Sequence, residues 1–164
     1  MKNIFILAGT NLGDRKANLD FARNSLARAG TVIKASSHFE TEPVGFLDQP
    51  WFLNQALELE THLTPPELLS FCQNIESTCG RLRTFPNAPR TLDLDILFFG
   101  DIVISREDLV IPHPRLPDRR FALEPLAQIA PEFIHPILKK TILTLLENCP
   151  DSSEVHIVAT ISKQ

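Results

Sequence analysis

Two carboxylates one residue apart, with an arginine just ahead of them, form the most chemically pointed stretch of the chain: Arg90-Thr91-Leu92-Asp93-Leu94-Asp95. Side chains alternate along a β-strand. Asp93 and Asp95 therefore project from one face, and Leu92, Leu94 and Ile96 from the other, where they can enter a core. The two acids then stand side by side and repel each other unless a cation lies between them. Mg²⁺ takes hard oxygen ligands and is commonly held by one or two carboxylates together with substrate phosphates. The plainer alternative is that both acids solvate the open face of an antiparallel sheet. The neighbours favour the metal: Arg81 and Arg83 lie in the loop that feeds the strand, and Glu76 falls near the end of the helix before it. Acids for a metal beside arginines for phosphates suit phosphoryl transfer, which is mostly positioning and charge neutralisation.

A second motif, Ile111-Pro112-His113-Pro114, holds a histidine between prolines. Such a residue is either a plain surface histidine or, beside a polyphosphate, a hydrogen-bond donor to a phosphate oxygen. Gly9-Thr10-Asn11-Leu12-Gly13 lacks the lysine and hydroxyl of a P-loop, so Gly9 and Gly13 read as turn glycines. His38, His62, His135 and His156 have no comparable context and receive no role.

Composition narrows the setting. A chain of 164 residues, 43% hydrophobic and 22% charged, suits one domain (1–164) with a core of its own. A net charge of -4 argues against a broad nucleic-acid footprint. The arginines gather in two loops, at 81, 83 and 90 and at 115, 119 and 120, which suits a small anion better than a polymer. No apolar run approaches the ~20 residues that span a membrane. The three cysteines lack metal-ligand spacing, and Cys72 and Cys79 read as buried thiols. A cytosolic protein acting as a monomer is the expectation.

The elements that must position these residues follow from hydrophobic period and capping signals. Residues 3–8 predict a strand. Asp14 predicts the N-cap of a helix through Ala29, closed by Gly30, and 31–39 a second strand. Phe52–Thr61 predicts a third strand. Thr64-Pro65-Pro66-Glu67 opens a helix running to Thr78, and 91–99 is the clearest strand of all. Further helices are expected at 121–130 and 137–148, and a last strand at 154–161. The order βαββαβ predicts an α+β, ferredoxin-like core, an antiparallel sheet covered by helices.

Together these segments resemble the 6-hydroxymethyl-7,8-dihydropterin pyrophosphokinase family of the folate pathway, in matching order from Ile6 to about Pro136. The most specific part is Pro89-Arg90-Thr91-Leu92-Asp93-Leu94-Asp95-Ile96, followed by Phe99-Gly100 and Ile111-Pro112-His113. Gly9-Thr10-Asn11-Leu12-Gly13-Asp14, Asp48-Gln49-Pro50, Leu53-Asn54, Glu76 with Gly80-Arg81, and Arg119 with Phe121 also match. The resemblance implies a transferase that moves pyrophosphate from ATP to the pterin hydroxymethyl group and releases AMP. It implies that Asp93 and Asp95 ligate two Mg²⁺, with Arg81, Arg90 and Asp95 carrying the catalysis. It places Gln73, Glu76, Arg81, Arg83, Arg90, Ile96, His113 and Arg119 at the ATP. It places Thr41, Pro43, Val44, Gly45, Phe52, Asn54 and Phe121 at the pterin. Loops 9–13, 42–50 and 81–89 would close over the substrates. In the last loop, family members often carry a lysine and a tryptophan, where this chain has Thr84 and Phe85-Pro86-Asn87-Ala88. Two other readings of the same residues remain: a non-catalytic ferredoxin-like binding module with a metal clip, and a metal-dependent phosphohydrolase.

Overall fold

The computed structural model describes residues 3–80 and 91–158. The first strand, β1 (Ile4–Thr10), is buried along its whole length. Asp14 caps the helix α1 (Arg15–Leu26) by accepting the N–H of Ala17 at 3.0 Å. This helix stops short of the expected Ala29, because residues 27–29 tighten into a turn, with Arg28 N–H on Ser25 and Ala29 N–H on Leu26. Gly30 does not close it but opens β2 (Gly30–Ala35), where a Cβ would stand 1.9 Å from the Glu60 carbonyl oxygen.

The strand expected over 31–39 is two strands, β2 and β3 (Phe39–Thr41). The break has a cause in Ser36, whose hydroxyl accepts the Ala56 N–H (2.9 Å) while its carbonyl accepts from the Gln55 side chain (2.9 Å). The strand β4 (Phe52–Thr61) and the helix α2 (Pro65–Thr78) match expectation. Thr64 and Glu67 close a reciprocal capping box at the start of α2. Next come β5 (Asp93–Phe99), a short hairpin of β6 (Ile104–Ser105) and β7 (Val110–Ile111), and α3 (Arg120–Ile129). The hairpin strands are too short to register as hydrophobic periodicity.

The helix expected over 137–148 is only α4 (Ile142–Glu147). Nδ1 of the buried His135 accepts the N–H groups of Ile137 and Leu138, both at 3.1 Å, and so holds the preceding residues in a turn. Thr141 then supplies the N-cap through Thr144 N–H. The last strand is β8 (Val155–Ile157).

The main sheet runs β5-β1-β4-β3-β8, with β2 also paired to β4, and its pairings are antiparallel. Alternation divides it into two faces. Ile4, Ile6, Ala8, Leu57, Leu59, Leu94 and Ile96 pack with Leu19 and Leu26 of α1 and Leu68 and Ile75 of α2. Phe5, Leu7 and Ala56 pack with Leu123 and Leu126 of α3 and Leu145 of α4. Helices therefore cover both faces, and the second face is not left open to water. The β1–β5 register shifts between Phe5 and Ile6, which puts both Leu97 and Phe98 on the α3 side. No helix among the described residues is long and apolar enough to cross a membrane.

Candidate active site

On the α3 side of the sheet the packed core gives out toward one end, and the strands there carry polar residues. Asp93 of β5 lies opposite Gly9 of β1, and Gly9 lies opposite Asn54 of β4. One step along, Asp95 lies opposite Leu7. Strand pleating thus sets the two carboxylates on one face, as their spacing predicts, about 7 Å apart along the strand. They line a cleft of about 610 Å³, counting its mouth, together with Leu7, Gly9, Thr41, Glu42, Val44, Phe52, Asn54, Arg119 and Phe121.

The lining of this cleft combines two chemistries. Thr41, Phe52 and Asn54 come from paired positions on β3 and β4, and Phe121 comes from the first turn of α3. Asn54 Nδ2 donates to Thr41 Oγ1 at 2.7 Å, both residues being buried. That bond orients the amide, which presents a donor and an acceptor to anything lying in the cleft. Gly9 is the floor here: a Cβ on it would meet Asn54 Oδ1 at 2.5 Å. Val44 exposes 44% of its surface at the mouth. Loops 9–13 and 42–50 are tied together, since Asn11 Nδ2 donates to Gln49 Oε1 (2.8 Å) and to the Pro50 carbonyl (2.9 Å).

The same cleft holds charges: Glu42, Asp93, Asp95 and Arg119 line it. Arg119 is the N-cap residue of α3, and its guanidinium lies 5.4 Å from the centre of the Phe121 ring. The field of this arginine, opposed by Asp93, reaches His113. Burial first, then Arg119 and Arg115, push the His113 imidazole down to about 4 despite Asp93. It is therefore neutral at physiological pH. Its Nδ1 accepts the Arg115 N–H at 3.2 Å, which assigns the proton to Nε2 and leaves that nitrogen as a donor.

Asp93 and Asp95 offer hard oxygen donors at a cleft wide enough for a second ligand source, and this donor set fits Mg²⁺. Among the described residues no group of three His, Cys, Asp or Glu side chains forms a closed metal cage. An ion held by this pair draws its remaining ligands from phosphate and water.

Of the residues singled out by sequence, the cleft gathers Asp93, Asp95, Arg119, Thr41, Val44, Phe52, Asn54 and Phe121. Pro43 (buried) and Gly45 (φ +85°) belong to the same loop as Val44 without lining the cleft. Gln73 is exposed on α2, and Ile96 packs into the opposite face of the sheet. Glu76 is buried, and its carboxylate accepts the Leu94 N–H at 2.7 Å. Arg81, Arg83 and Arg90 lie outside the described residues, as does the loop expected to close over 81–89. Gly13 is a turn glycine (φ +72°), but Gly9 is not: it sits within β1 and faces the cleft. Leu7 and Glu42 also line the cleft without having been singled out. For Gly9 and Leu7 the signal was the continuation of the β1 alternation past Ala8, whereas nothing in the sequence marked Glu42.

The sequence profile described as "7,8-dihydro-6-hydroxymethylpterin-pyrophosphokinase (HPPK)" matches residues 5–131. The "2-amino-4-hydroxy-6-hydroxymethyldihydropteridine pyrophosphokinase" of Bacillus subtilis is 49% identical over 132 residues, 79% of this chain and 79% of that protein. The "Folic acid synthesis protein FOL1" of Dictyostelium discoideum is 37% identical over 93% of this chain, which spans only 23% of that longer protein. Among solved structures, the wild-type "HPPK-DHPS" of Plasmodium falciparum superposes with a TM-score of 0.70 at 17% identity. It covers 90% of this chain and 44% of its own, and supports the fold. With its profile match and its close bacterial relative, the chain belongs to the 7,8-dihydro-6-hydroxymethylpterin pyrophosphokinase family.

Proposed function

We propose that the chain transfers pyrophosphate from ATP to 6-hydroxymethyl-7,8-dihydropterin, releasing AMP, as a step of folate biosynthesis. The observation that carries this reading is that one cleft brings two chemistries together. An amide and aromatic set (Thr41, Phe52, Asn54, Phe121) meets a set with two carboxylates and a guanidinium (Asp93, Asp95, Arg119). A flat heterocycle with an amide-like edge suits the first set, through stacking on the rings and paired hydrogen bonds to Asn54.

The hydroxymethyl oxygen attacks the β-phosphorus. The new O–P bond forms as the bond from that phosphorus to the oxygen bridging the α-phosphate breaks, AMP leaves with the bridging oxygen, and the hydroxyl proton passes to solvent. Asp93 and Asp95 would hold Mg²⁺, two ions in this reading, and the bound metal supplies neutralisation of phosphate charge. Arg119 compensates charge on the phosphates from the opposite wall. His113, neutral and protonated on Nε2, donates to a phosphate oxygen without adding charge. Arg81, Arg83 and Arg90 complete the phosphate contacts in this reading, with Arg81 and Arg90 acting in catalysis beside Asp95. Loops 9–13 and 42–50, closing over the substrates, keep water from the β-phosphorus, so that ATP is not hydrolysed.

Both substrates are small and water-soluble. The cysteines are free thiols among the described residues, consistent with a cytosolic enzyme. We assign it no nucleic-acid or membrane partner and take it to act as a monomer.

The test is to incubate the protein with ATP, Mg²⁺ and the hydroxymethyl-dihydropterin and to identify the nucleotide product. AMP formed only when the pterin is present is the expected result. ADP as the sole product, or equal turnover without pterin, overturns the reading.

A further inference from the structure

Glu76 is a buried acid whose carboxylate reaches the strand that carries the Asp pair. It lies in the last turn of α2, three residues before the C-cap Cys79, where the helix dipole opposes negative charge. It is 4% exposed. A carboxylate buried at a helix C-terminus needs hydrogen-bond donors. The Leu94 backbone N–H, 2.7 Å from Glu76 Oε2, is such a donor.

That amide belongs to the residue between Asp93 and Asp95. Among the described residues β5 is an edge strand, with β1 as its one neighbour in the sheet. On an edge strand the outward amides have no ladder partner to fix the backbone. A twist of the backbone at Leu94 would swing Asp93 and Asp95 relative to each other, because they flank it directly.

We infer that Glu76 is a positioning residue: by holding the Leu94 amide it fixes β5 between Asp93 and Asp95 and so sets the separation of the two carboxylates that receive the metal. The role belongs to its acceptor oxygen rather than to its charge, and it rests on the metal reading of the Asp pair given above. Groups that orient metal ligands from behind typically contribute 10–100-fold to metal affinity.

The experiment compares the parent chain with Glu76→Leu and Glu76→Gln. Two quantities are measured: hydrogen exchange of the Leu94 amide in the metal-free protein by NMR, and Mg²⁺ affinity by calorimetry with a non-hydrolysable ATP analogue. Glu76→Leu should speed Leu94 exchange and weaken Mg²⁺ binding, each by about tenfold or more. Glu76→Gln keeps an acceptor oxygen and should recover most of both losses. Two outcomes overturn the inference: Gln losing as much Mg²⁺ affinity as Leu, which would mean that the charge itself is used, or Leu changing neither quantity. If Glu76→Leu does not fold, the Gln variant decides alone, because protected Leu94 with a tenfold loss of Mg²⁺ affinity is incompatible with the inference. Neither measurement requires transfer to occur. A parent chain that binds Mg²⁺ but makes no AMP would fault the pyrophosphokinase reading and leave the role of Glu76 standing.

Discussion

A Cβ on Gly9 would stand 2.5 Å from Oδ1 of Asn54, its partner across the β1–β4 ladder. The clash is with a side chain, so Gly9→Ala is expected to fold with Asn54 turned aside. Turning it breaks the 2.7 Å bond to Thr41 and withdraws the amide from the cleft. The expected cost in stability is about 1–2 kcal/mol. The KM for the pterin should rise about tenfold or more, with the KM for ATP little changed. Steady-state kinetics with each substrate varied in turn check this, and equal rises in both KM values would place Gly9 elsewhere than under the pterin.

Asp93 and Asp95 stand together on one face of β5 and line the cleft. In the proposed reading, replacing either with alanine removes a metal ligand while leaving the apolar side of β5 intact. Transfer should fall by more than about two orders of magnitude. The thermal midpoint of the metal-free protein should stay within about 4 °C of the parent's. Chelation by EDTA should stop the parent enzyme, and Mg²⁺ should restore it. If the alanine variants unfold without metal, the acids serve structure rather than chemistry.

How much of this was open to reading before the fold was known depends on how far each determinant reaches. The face shared by Asp93 and Asp95 is a period-two property of five consecutive residues. The start of α2 is a four-residue capping box at Thr64 and Glu67, equally local. By contrast, the place of Gly9 beneath Asn54 needs a partner 45 residues away, and the hold of Glu76 on Leu94 crosses from a helix to a strand edge. The missing first half of the 137–148 helix fails for a third reason. The apolar period there is real, but His135 takes the Ile137 and Leu138 amides into a turn, and a side chain outcompetes propensity. Period and capping within one element were legible; pairing between elements, and local side-chain bonds that oppose the period, were not.

His113 has a pH signature that can be isolated. Its folded pKa is about 4, below the ordinary 6.5 that it regains on unfolding. Above pH 6.5 both states hold it neutral. As the pH falls from 6.5 toward 4 the unfolded chain takes up the proton and the folded chain does not, so stability is lost across that window. Below 4 the loss levels off. The shift corresponds to at most about 3 kcal/mol. Urea unfolding at pH 7, 5.5 and 4 should show a smaller loss for His113→Gln than for the parent, and NMR titration of the imidazole should find a midpoint near 4. A midpoint near 6.5 would remove the case for a neutral donor at the phosphates.

Arg119 and Phe121 act as one unit by geometry, with the guanidinium 5.4 Å from the ring centre and both side chains lining the cleft. If, as proposed, the ring serves the pterin and the guanidinium the phosphates, support of one by the other couples the two substrates. Phe121→Leu keeps apolar bulk but loses the π face that holds the cation, a contact of about 0.5–2 kcal/mol. It should therefore raise the pterin KM and also lower kcat, although Phe121 itself touches no phosphate in this reading. Arg119→Ala should lower kcat further. Measured as a cycle, the double variant should lose less than the sum of the single losses, with a coupling of about 1 kcal/mol in kcat/KM. Strict additivity would show that ring and guanidinium work independently. The fall in kcat expected for Phe121→Leu would then need a cause other than the Arg119 contact.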